Sequence, residues 1–188
     1  MNVNRVLNRE DAVLVVIDVQ ERLVPVIDKE LFDRSRRNIA IAVETAWTLK
    51  LPILLTEQYP KGLGRTIPLI IEALEGKVYE TVEKITFSCA RNESFLTALV
   101  GAERRQVLLT GMETHVCVYQ TAIDLVNAGY EVFAAEDAVS SRRLQDHRLG
   151  IEAMRDAGVR VLPTETAVFQ LLKAADTPEF KKISSLLR

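Results

Sequence analysis

Short apolar runs rich in β-branched residues recur along this chain and alternate with amphipathic stretches. That rhythm constrains the fold more than any other feature of the sequence. Ala12-Val13-Leu14-Val15-Val16-Ile17 contains no polar residue. A strand without polar alternation has both faces buried, as in a parallel sheet covered on both sides. Residues 53–56, 106–110, 131–135 and 159–162 read the same way, and 78–82 is a weaker third strand. Residues 31–50 carry helical periodicity instead, with Ile39, Val43, Ala46 and Trp47 on one face and Arg34, Arg36, Arg37 and Glu44 mostly elsewhere. Gly76, Gly101, Gly129 and Gly158 stand where each helix is expected to close. Thr177-Pro178-Glu179 predicts a capped start for a last helix over about 177–187, containing Phe180, Ile183 and Leu186. Residues 59–68 read as an irregular surface loop. The alternation predicts an α/β chain: a six-stranded parallel sheet between two helical layers. A length of 188 residues favours one domain, 1–188.

Composition removes several classes of function. Lys and Arg number 24 against 26 Asp and Glu, so the net charge of −2 supplies no general attraction to nucleic acid or anionic membrane. Two Cys and two His exclude a disulfide scaffold, a Cys-rich zinc module and a His-built metal centre. The first ten residues lack the apolar core of a signal peptide, and the run ending at Ile17 is too short to span a bilayer. A cytoplasmic protein with reduced thiols is expected.

In an open parallel sheet, ligands bind beyond the carboxyl ends of the strands. Asp18 ends the first strand, Lys84 follows the third, and Cys117 opens the helix after the fourth. Each has an ordinary reading: Asp18 as a cap, Lys84 as a solvated charge, Cys117 as a small buried hydrophobe. Their shared sheet edge supplies another. Asp18 is a candidate general base, and the Lys84 cation favours a thiolate. In Gly111-Met112-Glu113-Thr114-His115-Val116-Cys117-Val118, Gly111 breaks the strand and Thr114 is placed to cap a helix. Cys117 then falls in a first turn, where free amides and the helix dipole stabilise an anion. Cys89 is a second thiol, read as structural or as a redox partner of Cys117. His115 lies two residues from Cys117, on a different helical face, and reads as pocket wall or partner contact. His147, in the polar stretch 140–148, reads as a surface or helix-start residue. No Gly-x-Gly-x-x-Gly follows the first strand, which argues against a dinucleotide binder.

These residues resemble the isochorismatase-like cysteine hydrolase family over roughly 11–172. The resemblance rests on Val16-Ile17-Asp18-Val19-Gln20, Lys84 with Phe87-Ser88, the 111–118 segment with Thr121-Ala122, Glu136-Asp137-Ala138 and Ser140-Ser141-Arg142. The stretch Thr56-Glu57-Gln58-Tyr59-Pro60-Lys61-Gly62-Leu63-Gly64 is similar to the isochorismatase-domain-containing branch. The resemblance implies strand order 3-2-1-4-5-6, an Asp18–Lys84–Cys117 triad, a cis peptide at Met112-Glu113 near the oxyanion amides, and a homo-oligomer, dimer or larger. It implies cysteine-dependent hydrolysis of a small amide or related carbonyl compound. Gln20, Tyr59, Phe87 and His115 are the candidate pocket-lining residues. The family's nicotinamidases bind a metal through an Asp-x-His and a second His. The matching stretch here has no His, so no metal or cofactor is expected. A non-catalytic binding or scaffold protein, and a thiol redox protein using Cys117 and Cys89, remain the alternatives.

Overall fold

The computed structural model describes residues 6–187. Residues 1–5, part of the stretch read above for a signal peptide, and residue 188 lie outside it. In chain order the elements are β1 (Ala12–Ile17), α1 (Lys29–Thr48), β2 (Ile53–Gln58), α2 (Pro60–Leu63), α3 (Pro68–Leu74), β3 (Glu80–Lys84), α4 (Glu93–Gly101) and β4 (Gln106–Met112). A π-helical turn (Thr114–Val118) then leads into α5 (Tyr119–Asn127), β5 (Glu131–Ser140), α6 (Leu144–Asp156), β6 (Arg160–Leu162), α7 (Thr164–Leu172) and α8 (Pro178–Ser184).

The strands form one parallel sheet in the order β3-β2-β1-β4-β5-β6, so the switch point lies between β1 and β4. The apolar run of β1 is buried along its whole length because helices cover both sheet faces. Leu14 and Val16 pack under Ile39 and Val43 of α1, Ile70 of α3, Val168 of α7 and Ile183 of α8. Val13, Val15 and Ile17 face Phe95 and Leu99 of α4, Leu125 of α5 and Ile151 and Met154 of α6. Among the described residues no helix is long and apolar enough to cross a membrane.

Several boundaries differ from the sequence reading. The third strand runs two residues later than expected, because its edge position leaves Glu80, Thr81 and Glu83 exposed and removes the apolar signal. The fifth continues to Ser140, five residues beyond its apolar run. On α1, Ile39, Val43 and Ala46 are buried, but Trp47 is 39% exposed. Gly76, Gly129 and Gly158 take positive φ at helix ends, while after α4 the left-handed residue is Glu103 rather than Gly101. The loop expected over 59–68 is ordered by α2 and by a bridge between Gln20 and Thr66. Thr177 caps α8 by accepting from the Phe180 amide at 3.0 Å, and the helix ends at Ser184 in a short 3-10 turn to Leu187.

Candidate active site

Strand register alone assembles the site. Ile17 pairs with Thr56, and Gln58 with Lys84, so the ends of β1, β2 and β3 bring Asp18, Thr56, Gln58 and Lys84 to one edge. On the other side Ile17 pairs with Gly111 of β4. Gly111 sits at φ +109, and a Cβ there would stand 2.1 Å from the Ile17 carbonyl oxygen. Only glycine permits that approach, which seats the segment before Asp18 against the strand leading to Cys117.

Asp18 does not cap a helix. It takes φ 50, a left-handed conformation that a short polar side chain tolerates, and it is fully buried. Its Oδ1 accepts from Thr56 Oγ1 at 2.7 Å and its Oδ2 from Lys84 Nζ at 2.6 Å. Lys84 is likewise no solvated charge. Its side chain is fully buried, and Nζ also donates to Gln58 Oε1 at 2.8 Å and to the Thr86 and Phe87 carbonyls at 3.2 Å. Burial opposes the ammonium charge, but the surrounding acidic groups, Asp18 first and then Cys89 and Cys117, outweigh it together, and the Lys84 pKa lies above the ordinary lysine value.

The Cys117 sulfur lies 3.7 Å from Gln58 Oε1, the oxygen that also accepts from Lys84 Nζ. The residue is buried, with 7% of its surface exposed. The expected preformed thiolate is not found. Burial first, and then the charge of Asp18, push the thiol well above its ordinary value, and Lys84 only partly offsets them. The resting cluster is therefore a neutral thiol beside a carboxylate–ammonium pair.

Cys117 sits in the π-turn rather than in the first turn of an α-helix. Thr114 does not cap it; Glu113 holds that position, and its carbonyl accepts from the Val116 and Val118 amides. The Met112–Glu113 peptide is cis. The Glu113 carboxylate is buried and accepts from Arg142 Nη2 at 2.6 Å, Nε at 3.0 Å and the backbone amide at 2.9 Å.

The pocket residues expected from sequence separate into two groups. Tyr59 and Phe87 are half exposed beside the cluster: the Tyr59 amide donates to the Lys84 carbonyl, and the Phe87 carbonyl accepts from Lys84 Nζ. His115 is partly buried, with Nδ1 3.1 Å from Ser141 Oγ. Gln20 is different. It is fully buried, and its amide is spent on the Gln58 carbonyl, the Gly64 carbonyl and the Gln58 amide, so it clamps the loop that frames the site. Cys89 is buried behind the cluster, 3.8 Å from Thr56 Oγ1, with its pKa pushed up to about 11, chiefly by burial. His147 is not a surface residue but is buried against Thr114. Sequence reasoning missed Thr56, Gln58 and Arg142 as site residues. Among the described residues no three His, Cys, Asp or Glu side chains are grouped to hold a metal ion. A groove of about 790 Å³ beside α1 and α3 is lined by Arg37, Ile41, Leu69 and Leu186 among others, and by none of the cluster residues.

The sequence matches the family model for the isochorismatase domain over residues 12–166. The chain belongs to the isochorismatase family. Isochorismatase family protein 1A of Dictyostelium discoideum is 38% identical over 185 residues, covering 96% of this chain and 87% of that protein. Among solved structures, one described as the MAR1 ribonuclease of Caenorhabditis elegans superposes with a TM-score of 0.89 at 32% identity, covering 96% of this chain and 91% of that one. The YcaC gene product of Escherichia coli, described as an octameric hydrolase of unknown specificity, superposes with a TM-score of 0.87 at 20% identity over 99% and 92% of the two chains, a likeness of fold. This family membership makes the strand-end cluster the candidate centre of a hydrolase.

Proposed function

We propose that the chain is a cysteine hydrolase acting on a small amide or related carbonyl compound. The observation that carries this reading is a buried thiol that meets the same Gln58 oxygen as a lysine paired to a buried carboxylate. As Cys117 attacks the substrate carbonyl, its proton passes to Asp18 and a carbon–sulfur bond forms. Lys84 stays protonated throughout and stabilises whichever neighbour carries the negative charge. The Val116 and Val118 amides are committed to the Glu113 carbonyl, so the oxyanion role falls to the Glu113 and Cys117 amides. Protonated Asp18 then gives its proton to the leaving amine as the carbon–nitrogen bond breaks. Water attacks the thioester, Asp18 takes the water proton, and the carboxylic acid leaves as the thiol re-forms.

The redox alternative suits this site poorly. Cys89 is fully buried with a raised pKa, which makes it a slow resolving thiol. An RNA substrate, named for the Caenorhabditis relative, asks for a cationic footprint that a net charge of −2 does not favour. We assign the protein to the cytoplasm from its two free thiols, and to a homo-oligomer that covers exposed apolar residues such as Leu144 and Leu149. The test is a screen of small amides for ammonia or amine release, with intact-mass trapping of an acyl adduct on Cys117 and a parallel RNA digestion. Turnover that Cys117→Ala abolishes and Cys89→Ala retains supports the reading. Turnover surviving in Cys117→Ala, or RNA cleavage without amide turnover, overturns it.

A further inference from the structure

Helix α6 presses on the turn that carries Cys117 at two points. Gly150 is one of them: a Cβ there would stand 3.0 Å from His115 Cα, so the bare helix backbone lies directly against the turn. One helical turn earlier is His147, 2% exposed, with Nδ1 3.0 Å from Thr114 Oγ1. Thr114 is the first residue of the π-turn, and its carbonyl accepts from the Tyr119 amide, so Cys117 hangs between two anchored ends. The other ring nitrogen, Nε2, is buried without a hydrogen-bond partner and faces Glu136 Oε1 at 4.0 Å.

That asymmetry assigns the tautomer. A proton on Nε2 points toward a carboxylate, whereas a lone pair there is repelled by it. Nδ1 is then left as an acceptor for the Thr114 hydroxyl.

We propose that His147 is a positioning residue for Cys117: its neutral Nδ1 accepts the Thr114 hydroxyl and pins the start of the π-turn. The role rests on Cys117 being the nucleophile. A protonated ring would donate from Nδ1 instead, and the Thr114 hydroxyl, which can accept as well as donate, would reverse its role in the same contact. The surroundings keep the ring neutral. Burial acts first, and Arg34 from α1 and Arg148 from α6 add to it, while Glu136 on β5 is the opposing charge; together they hold the His147 pKa below its ordinary 6.5. The clamp is thus held in its neutral, accepting form at neutral pH.

Four variants test this: Thr114→Val and His147→Phe remove one partner each, and Thr114→Ser and His147→Asn keep a hydroxyl and an acceptor. The readouts are amide hydrogen exchange across residues 114–119 and the rate of Cys117 alkylation by iodoacetamide between pH 5 and 8. Thr114→Val and His147→Phe are expected to speed exchange about tenfold. They should also slow alkylation by roughly tenfold to a hundredfold, with both conservative variants near wild type. Exchange in Thr114→Val within about twofold of wild type overturns the proposal. Because Thr114→Val is nearly isosteric, it decides the matter even if His147→Phe fails to fold. A wild-type Cys117 inert to iodoacetamide overturns the hydrolase reading instead, and the exchange arm still decides the clamp.

Discussion

Replacing Lys84 with methionine keeps the apolar stem and deletes the charge. The structure fixes what is lost: bonds to Asp18 Oδ2 at 2.6 Å, Gln58 Oε1 at 2.8 Å and the Thr86 and Phe87 carbonyls at 3.2 Å, all beneath a side chain with no exposure. Asp18 keeps only the Thr56 hydroxyl as a strong donor, and its carboxylate is left in the interior without a counter-charge. Removing one partner of a buried pair costs about 3–5 kcal/mol. That is a large part of the roughly 5–15 kcal/mol that holds a domain folded. With a urea slope near 2 kcal/mol per molar, the unfolding midpoint of Lys84→Met should fall by about 2 M. Asp18→Asn with Lys84→Met removes both charges and should be less destabilised than Lys84→Met alone, because no ion is stranded. Equilibrium urea unfolding at pH 7, at one fixed protein concentration, measures both. The linkage sign is also set. The Lys84 pKa is raised, so its stabilisation is fully present below the ordinary lysine value and is lost only as pH climbs through the higher folded value. A loss below about 1 kcal/mol in Lys84→Met would place this pair with exposed salt bridges and refute the reasoning.

Gly111→Ala forces a Cβ to within 2.1 Å of the Ile17 carbonyl oxygen at a positive φ; a loss of more than about 3 kcal/mol, or failure to fold, is expected by thermal or urea unfolding. Glu113→Gln breaks the paired bonds to Arg142 and should cost about 1–3 kcal/mol. Burial raises the Glu113 pKa, but the Arg142 bonds lower it further, so its contribution is present above the ordinary carboxylate range and fades as pH falls through the lower folded value. Unfolding curves between pH 2 and 7 should be flatter for Glu113→Gln than for wild type, and parallel curves would count against this account.

The legible part of the site is the part that strand ends dictate. Asp18, Lys84 and Cys117 each stand where an apolar run stops or a helix begins, and parallel-sheet geometry gathers such positions on one edge. Thr56 reads as the end of the second strand and Gln58 as part of the stretch after it, and neither is given a role at the site. Their two-residue spacing was the available signal, since it puts both on one face of β2. Gln20 is a candidate pocket residue because it follows Asp18 at the end of the first strand. Its actual work, holding the Gln58 and Gly64 carbonyls, depends on a loop path that no local pattern reveals. For His147 the signal was present but outweighed: His147, Gly150, Ile151 and Met154 fall on one helical face, and all four are buried. The polar run around them pointed the other way. The π-turn inserts one residue into the path to Cys117, a change in winding that composition does not encode.

Proton accounting connects these observations. The resting cluster holds one negative charge on Asp18, one positive charge on Lys84 and a neutral thiol, so its net charge is zero. Losing the thiol proton to bulk water would leave a net negative charge in a buried space, and burial and Asp18 both oppose that. Passing the same proton to Asp18 leaves a thiolate, a protonated carboxyl group and an ammonium, again with no net charge. The environment that makes Cys117 a poor acid toward solvent is therefore no barrier to its acting as a nucleophile toward a substrate. What decides reactivity is the alignment of sulfur, carboxylate and carbonyl, and the strand register, the Gly111 approach and the anchored π-turn are the features that set it.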